Sequence, residues 1–163
     1  MLAETEIRSS VLLVSDDSIH RAKYSVSNPP GHIENRVFVG GNYALMPVLR
    51  EIEKSVLASG LQPIIALDFE IPREKTREYT LRLLFQCKYA VLEETIGGGH
   101  IVEIARASGF QQIKILQVFM AMDERKEPPS TVSVMVWQTD PPPQGYSTMS
   151  ELREVVQAFL KKY

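Results

Sequence analysis

Glu103 is the acid best placed to do chemistry in this chain, because it follows three consecutive glycines, Gly97-Gly98-Gly99, by one helical turn. Glycines leave backbone N–H groups uncovered and a helix N-terminus concentrates partial positive charge, so a nucleotide or sugar phosphate can approach such a turn closely. A carboxylate one turn inside it can act on whatever binds there. On a helix, Ile101, Ile104, Ala105 and Ser108 share a face and Glu103 lies nearly opposite. The plainer reading is a solvated Glu103 paired with Arg106 three residues on, worth roughly 0.2–0.5 kcal/mol. Against it stand Val102 and Ala107, which widen the apolar arc, and the nearby glycines.

Three further groups of residues could make a ligand site. Gly40-Gly41-Asn42-Tyr43 follows the apolar run Val37-Phe38-Val39, where backbone N–H groups could meet a phosphate or ribose and Tyr43 could stack on a base. A plain glycine-containing turn accounts for the same residues. Asp68-Phe69 ends a second apolar run, and the Asp68 carboxylate could accept hydrogen bonds from sugar hydroxyls or simply serve the turn. Glu93-Glu94 ends a third, with one acid expected toward the loops and the other toward solvent, the sequence not deciding which. His100 adjoins the glycines, as a ligand contact or a structural residue, and His20, His32 and His100 lack metal-ligand spacing, so no metal is expected. Neither a dinucleotide GxGxxG fingerprint nor a P-loop lysine is present, and a serine-hydrolase elbow is missing. Met46, Met120, Met122, Met135 and Met149 read as core filler.

These residues need a scaffold that brings loop ends together. Strand-like runs at Val37–Val39, Ile64–Leu67, Tyr89–Leu92, Ile113–Val118 and Val132–Trp137 alternate with helical spacing over Leu45–Ala58, Glu74–Gln86, Gly99–Ser108 and Met149–Leu160. The Glu74–Gln86 helix would turn Leu81, Leu84 and Phe85 inward, and Pro141–Gly145 reads as a loop. Short, continuously apolar strands separated by helices predict an α/β fold, a flavodoxin-like three-layer sandwich around a mostly parallel five-strand sheet. Ligands of such sheets bind beyond the C-terminal strand ends, so Gly40, Gly41, Asp68, Glu93, Gly98 and Glu103 should converge.

At 163 residues the chain is expected to be one domain: an arm (1–35), a nucleotide-binding-like core (36–119) and a C-terminal strand and helix (120–163). A net charge of −2 with dispersed Lys and Arg argues against duplex nucleic acid as partner. The lone Cys87 excludes an internal disulfide and reads as a small buried hydrophobe. No apolar run approaches the ~20 residues of a membrane span and no signal-peptide pattern opens the chain, so a cytoplasmic protein without membrane contact is expected.

The segments VFVGGNYALMPVLREIEKSVLASGLQPIIALDF, CKYAVLEET and GGGHIVEIARA together resemble the nucleoside 2-deoxyribosyltransferase-like and TIR-like nucleotide-binding superfamily. The resemblance spans roughly residues 36–119. It implies a flavodoxin-like sheet and, in catalytic members, cleavage of the N-glycosidic bond between a base and a ribosyl or deoxyribosyl carbon. The carboxylate that acts as nucleophile or stabilises the oxocarbenium-like centre would be Glu103, and Gly40-Gly41 would hold the sugar-phosphate side. Departures are Gly40-Gly41-Asn42 where the transferases often have Ala-Gly-Pro, and Glu93-Glu94 where they usually have an aspartate. The expected ligand set is Gly40, Gly41, Asn42, Tyr43, Asp68, Phe69, Glu93, Glu94, Gly97, Gly98, Gly99 and His100, for a small-molecule nucleotide or nucleoside, with no cofactor. Whether such a site turns over as a nucleoside deoxyribosyltransferase or N-glycosidase-like hydrolase, or only senses its ligand as a non-catalytic TIR-like module, the residues leave open. A homodimer whose second subunit roofs Glu103 is a further expectation.

Overall fold

The computed structural model describes residues 24–96, 112–121 and 141–163. Among these residues five strands form one all-parallel sheet in the order β2-β1-β3-β4-β5. They are β1 (Arg36–Gly41), β2 (Gln62–Ile64), β3 (Tyr89–Glu93), β4 (Lys114–Met120) and β5 (Gln144–Tyr146). The order is that of a flavodoxin-like α/β sandwich.

Alternation of side chains along each strand divides the core into two layers. Val37, Val39, Tyr89, Val91, Leu116, Val118 and Tyr146 face α1 (Met46–Ala58) and α3 (Met149–Lys162), which contribute Leu49, Ile52, Val56, Leu152, Val156 and Phe159. Phe38, Ile64, Ala90 and Leu92 face α2 (Thr76–Phe85), which contributes Leu83 and Leu84, with Cys87 and Phe69 completing the layer. Each fully buried Leu, Ile or Phe adds about 1.5–3 kcal/mol, so apolar residues at successive strand positions are what a doubly covered sheet requires. Cys87 is 3% exposed, and burial pushes its thiol up to about 12, so it stays a protonated, inert side chain.

Local signals fix where the helices begin and end. Pro47 sits in the first turn of α1, where its missing N–H costs nothing. That helix stops at Gly60, whose φ of 76° is open to glycine, and the Leu61 N–H closes back on Val56 O. At α3, Thr148 accepts from the Glu151 N–H at 3.1 Å while Glu151 Oε2 accepts from the Ser147 N–H at 2.8 Å. This reciprocal cap fixes the chain directly after β5. At the N-terminal end of β1, the Arg36 guanidinium donates to the carbonyls of Pro29, Pro30, Gly31 and Gln86, tying residues 29–31 to the base of the strand.

Several expectations shift. The second strand is Gln62–Ile64, and Ala66–Asp68 winds into a 3-10 turn instead of continuing it. In α2 the inward pair is Leu83 and Leu84, while Phe85 is 50% exposed, because the sheet lies one residue round from the face read by spacing. The Gln144–Tyr146 segment, read as loop from its prolines, pairs with β4 as an edge strand; Pro141 to Pro143 precede the paired residues, so no ladder hydrogen bond is lost. The expected strand Val132–Trp137 and the expected helix Gly99–Ser108 lie outside the described residues.

Candidate functional site

In this strand order β1 is flanked by β2 on one side and β3 on the other, so the crevice between the C-terminal ends of β1 and β3 is the topological switch point where such sheets bind ligands. Gly41 and Glu93 are register partners there. Gly40 and Gly41 belong to β1 itself and do not form a loop, and both are glycine for a packing reason. A Cβ on Gly40 would lie 2.8 Å from Phe38 Cε1 and 3.0 Å from Leu92 Cδ2. One on Gly41 would lie 3.0 Å from both Glu93 O and Leu49 Cδ2.

Glu93 is 1% exposed, a rare state for a carboxylate. Its Oε1 accepts the Thr95 N–H at 2.7 Å and also the Thr95 hydroxyl, whereas Oε2 is buried without a partner among the described residues. Burial pushes the carboxyl above the usual range, and the hydrogen bonds from Thr95 pull partly the other way. The Thr95 hydroxyl accepts in turn from the Met120 N–H at 2.7 Å, joining the exits of β3 and β4. Tyr146 completes the group from β5. It is fully buried, its Oη lacks a partner among the described residues, and burial together with the charge of Glu93 pushes the phenol up to about 12, with Thr95 opposing. On the other face, the amide of buried Gln117, register partner of Leu92, also has neither atom bonded among the described residues.

The loops after β1 and β2 supply a second, more open group. Asn42 Oδ1 accepts from the Ala44 N–H at 2.9 Å and caps the turn that carries Tyr43. Tyr43 is 46% exposed, and desolvation together with the charge of Asp68 pushes its phenol above the usual range. Both Asp68 oxygens meet the Arg50 guanidinium, at 3.3 and 3.4 Å, and Arg50 also holds Glu53 at 2.8 Å. Phe69 is 5% exposed, packs in the α2 layer and tilts against Tyr24 at 5.5 Å, so its place is structural. Glu94 is buried as well, so neither of the paired acids faces solvent as expected, because the strand end is held against β4, with the Glu94 N–H bonding Val118 O at 2.9 Å.

Of the expected residues, Gly40, Gly41, Asn42, Tyr43, Asp68, Glu93 and Glu94 thus share one edge of the sheet, and Phe69 turns into the core. Gly97, Gly98, Gly99, His100 and Glu103 lie outside the described residues. Arg50, Thr95 and Tyr146 were missed by sequence reasoning. Thr95 had a signal, since a hydroxyl residue two positions after a strand-ending acid can bond back to it. Tyr146 had none, being hidden behind prolines. A separate open cleft of about 490 Å³ along α2, lined by Ser25, Tyr79, Arg82 and Phe85 among others, contains none of the expected site residues.

Among the described residues no helix is long and apolar enough to cross a membrane, and no three His, Cys, Asp or Glu side chains group as metal ligands. No protein-family model and no curated protein matches the chain.

Proposed function

We propose that this chain is a nucleoside- or nucleotide-recognising domain that cleaves or transfers at an N-glycosidic bond through a carboxylate. The observation that carries the reading is Glu93: a carboxylate 1% exposed at the β1/β3 switch point of a flavodoxin-like sheet, with one oxygen unpartnered among the described residues. A buried oxygen of that kind costs stability, about 1–3 kcal/mol or more for a charged group, and such costs collect at functional sites. The half-exposed Tyr43 ring on the same edge offers a face for a base, and Asp68 retains lone pairs for sugar hydroxyls beyond those that Arg50 occupies.

In this reading Glu103, which the resemblance puts at the reacting carbon, captures the anomeric carbon or stabilises its positive charge as the base departs. The test is incubation of purified protein with nucleosides, nucleotides and NAD, followed by chromatography for released base. Base release is expected, and Glu103→Gln should cut it by about 100-fold or more while binding stays within a few fold, because the amide keeps the shape and loses the anion. Absence of release from every compound, combined with ligand-induced thermal stabilisation, would replace this reading with a binding module.

A further inference from the structure

We propose that Thr95 is the positioning residue of this edge, fixing the Glu93 carboxylate in one orientation with Oε1 engaged and Oε2 left for other chemistry. The proposal rests on the functional reading above for its consequence, and on the hydrogen-bond geometry for its substance. A threonine hydroxyl has one proton and can accept as well as donate. The Met120 N–H points at Thr95 Oγ1 at 2.7 Å, so in that contact the oxygen accepts and its proton remains for Glu93. The Thr95 N–H at 2.7 Å and the Thr95 hydroxyl therefore both donate to Glu93 Oε1. With two donors aimed at it, Oε1 has no room for a proton, so any proton that Glu93 binds resides on Oε2.

Three strands meet in this arrangement. Glu93 ends β3, the Met120 N–H ends β4, and Tyr146 of β5 is the titratable side chain whose charge interaction with Glu93 is felt across β4. Register holds the three levels: Glu93 lies beside Val118, and Met120 beside Tyr146. β1 passes so close to Glu93 that a Cβ added at Gly41 would lie 3.0 Å from its carbonyl oxygen and 3.1 Å from its Cβ, so the strands pack tightly beside this carboxylate. A carboxylate so confined has a single productive orientation, and orientation is worth large factors in rate. Thr95 touches no reacting atom in this scheme and acts through Glu93.

The experiment compares wild type with Thr95→Val, which keeps the shape and loses the hydroxyl, and Thr95→Ser, which keeps the hydroxyl. One readout is the titration of the Glu93 carboxyl carbon by NMR. The other is kcat and KM for base release. Thr95→Val should move the Glu93 titration to higher pH, because a hydrogen bond to the ionised form is lost, and should lower kcat roughly tenfold or more with KM within about threefold. Thr95→Ser should restore both to near the wild-type values. A Thr95→Val protein that keeps the wild-type kcat overturns the proposal even if the titration moves. If wild type releases no base from any compound, the functional reading falls and the titration alone decides the positioning: a shift in Thr95→Val reversed in Thr95→Ser upholds it, and an unmoved titration overturns it. Should Thr95→Val fail to fold, a Thr95→Ser protein with a displaced Glu93 titration and reduced kcat overturns it as well, and one with both at wild-type values upholds it.

Discussion

Glu93 and Asp68 stand on the same edge of the sheet, yet the first is 1% exposed and bonded by the N–H and hydroxyl of Thr95, whereas the Asp68 side chain is 29% exposed and bonded by a guanidinium. The neutral donors at Glu93 do not offset its desolvation, so its carboxyl is pushed up. Asp68 gives up much less water and gains a cation. One carboxyl is thereby held above its usual range by burial, and the other is part-exposed and bonded by Arg50. The comparison teaches that residue type and strand-end position alone do not assign a role to an acid: the depth of the side chain and the charge of its donors do.

The comparison can be broken hardest at Tyr146, which is fully buried near Glu93, whereas Tyr43, the tyrosine that feels Asp68, is 46% exposed. Tyr146→Ala should cost about 3–5 kcal/mol in chemical denaturation, the range for emptying a fully buried aromatic position. Tyr146→Phe, by contrast, should leave stability within ~1 kcal/mol or raise it, since the deleted hydroxyl has no partner among the described residues. Equal losses in the two variants would show that the hydroxyl, and not the ring, is what matters.

Next in size is Gly41, register partner of Glu93, where an added Cβ would meet both Glu93 and Leu49. Gly41→Ala should destabilise by about 1–3 kcal/mol, because the added Cβ meets the carbonyl oxygen of Glu93, a backbone atom that cannot turn aside. A thermal melt unchanged from wild type would mean that the β1/β3 contact is looser than these distances.

A pH series sharpens the contrast further. Folding raises the Glu93 pKa, so the folded chain holds this proton more tightly than the unfolded one. Its contribution to stability is complete below the unfolded value of about 4.3 and is lost as pH rises through the folded value, at a rate on the order of 1.4 kcal/mol per pH unit between the two. Glu93→Gln cannot ionise, so wild type should lose melting temperature relative to this variant as pH climbs from about 4. A difference independent of pH would place Glu93 in a better-solvated setting than the structure gives it.

The smallest effect belongs to the open side. Arg50→Ala should cost only about 0–1 kcal/mol, and less in high salt, because Arg50 and its carboxylate partners remain in contact with water. A loss above about 2 kcal/mol would make the Arg50–Asp68–Glu53 group as integral to the edge as the buried one.

Local pattern carried much of the fold. The continuous apolar character of Val37–Val39 and Tyr89–Leu92, the helical spacing from Leu45 to Ala58 and the stop at Gly60 each depend on interactions within a few residues, and each was legible. The edge strand was not. Gln144–Tyr146 has three residues, follows three prolines and buries only Tyr146, so its pairing comes from β4 and not from its own composition. The face of α2 escaped for a similar reason: Leu81, Leu84 and Phe85 satisfy helical spacing as well as Leu83 and Leu84 do, and the sheet chooses between them.

By itself, then, the sequence determined that β1, β3 and β4 are strands, that α1, α2 and α3 are helices and that Glu93 ends β3, because short-range sterics and periodic hydrophobicity act along the chain. Only the tertiary structure decided that Gly40 and Gly41 are small to let β1 lie against β3, that Phe69 turns inward, and that Glu93 is buried beneath Thr95 and Tyr146 while Asp68 stays with Arg50. Apart from the local Glu93–Thr95 bonds, those outcomes depend on groups 18 to about 50 residues apart meeting in the fold, and desolvation, unlike periodicity, is a property of the assembled surroundings.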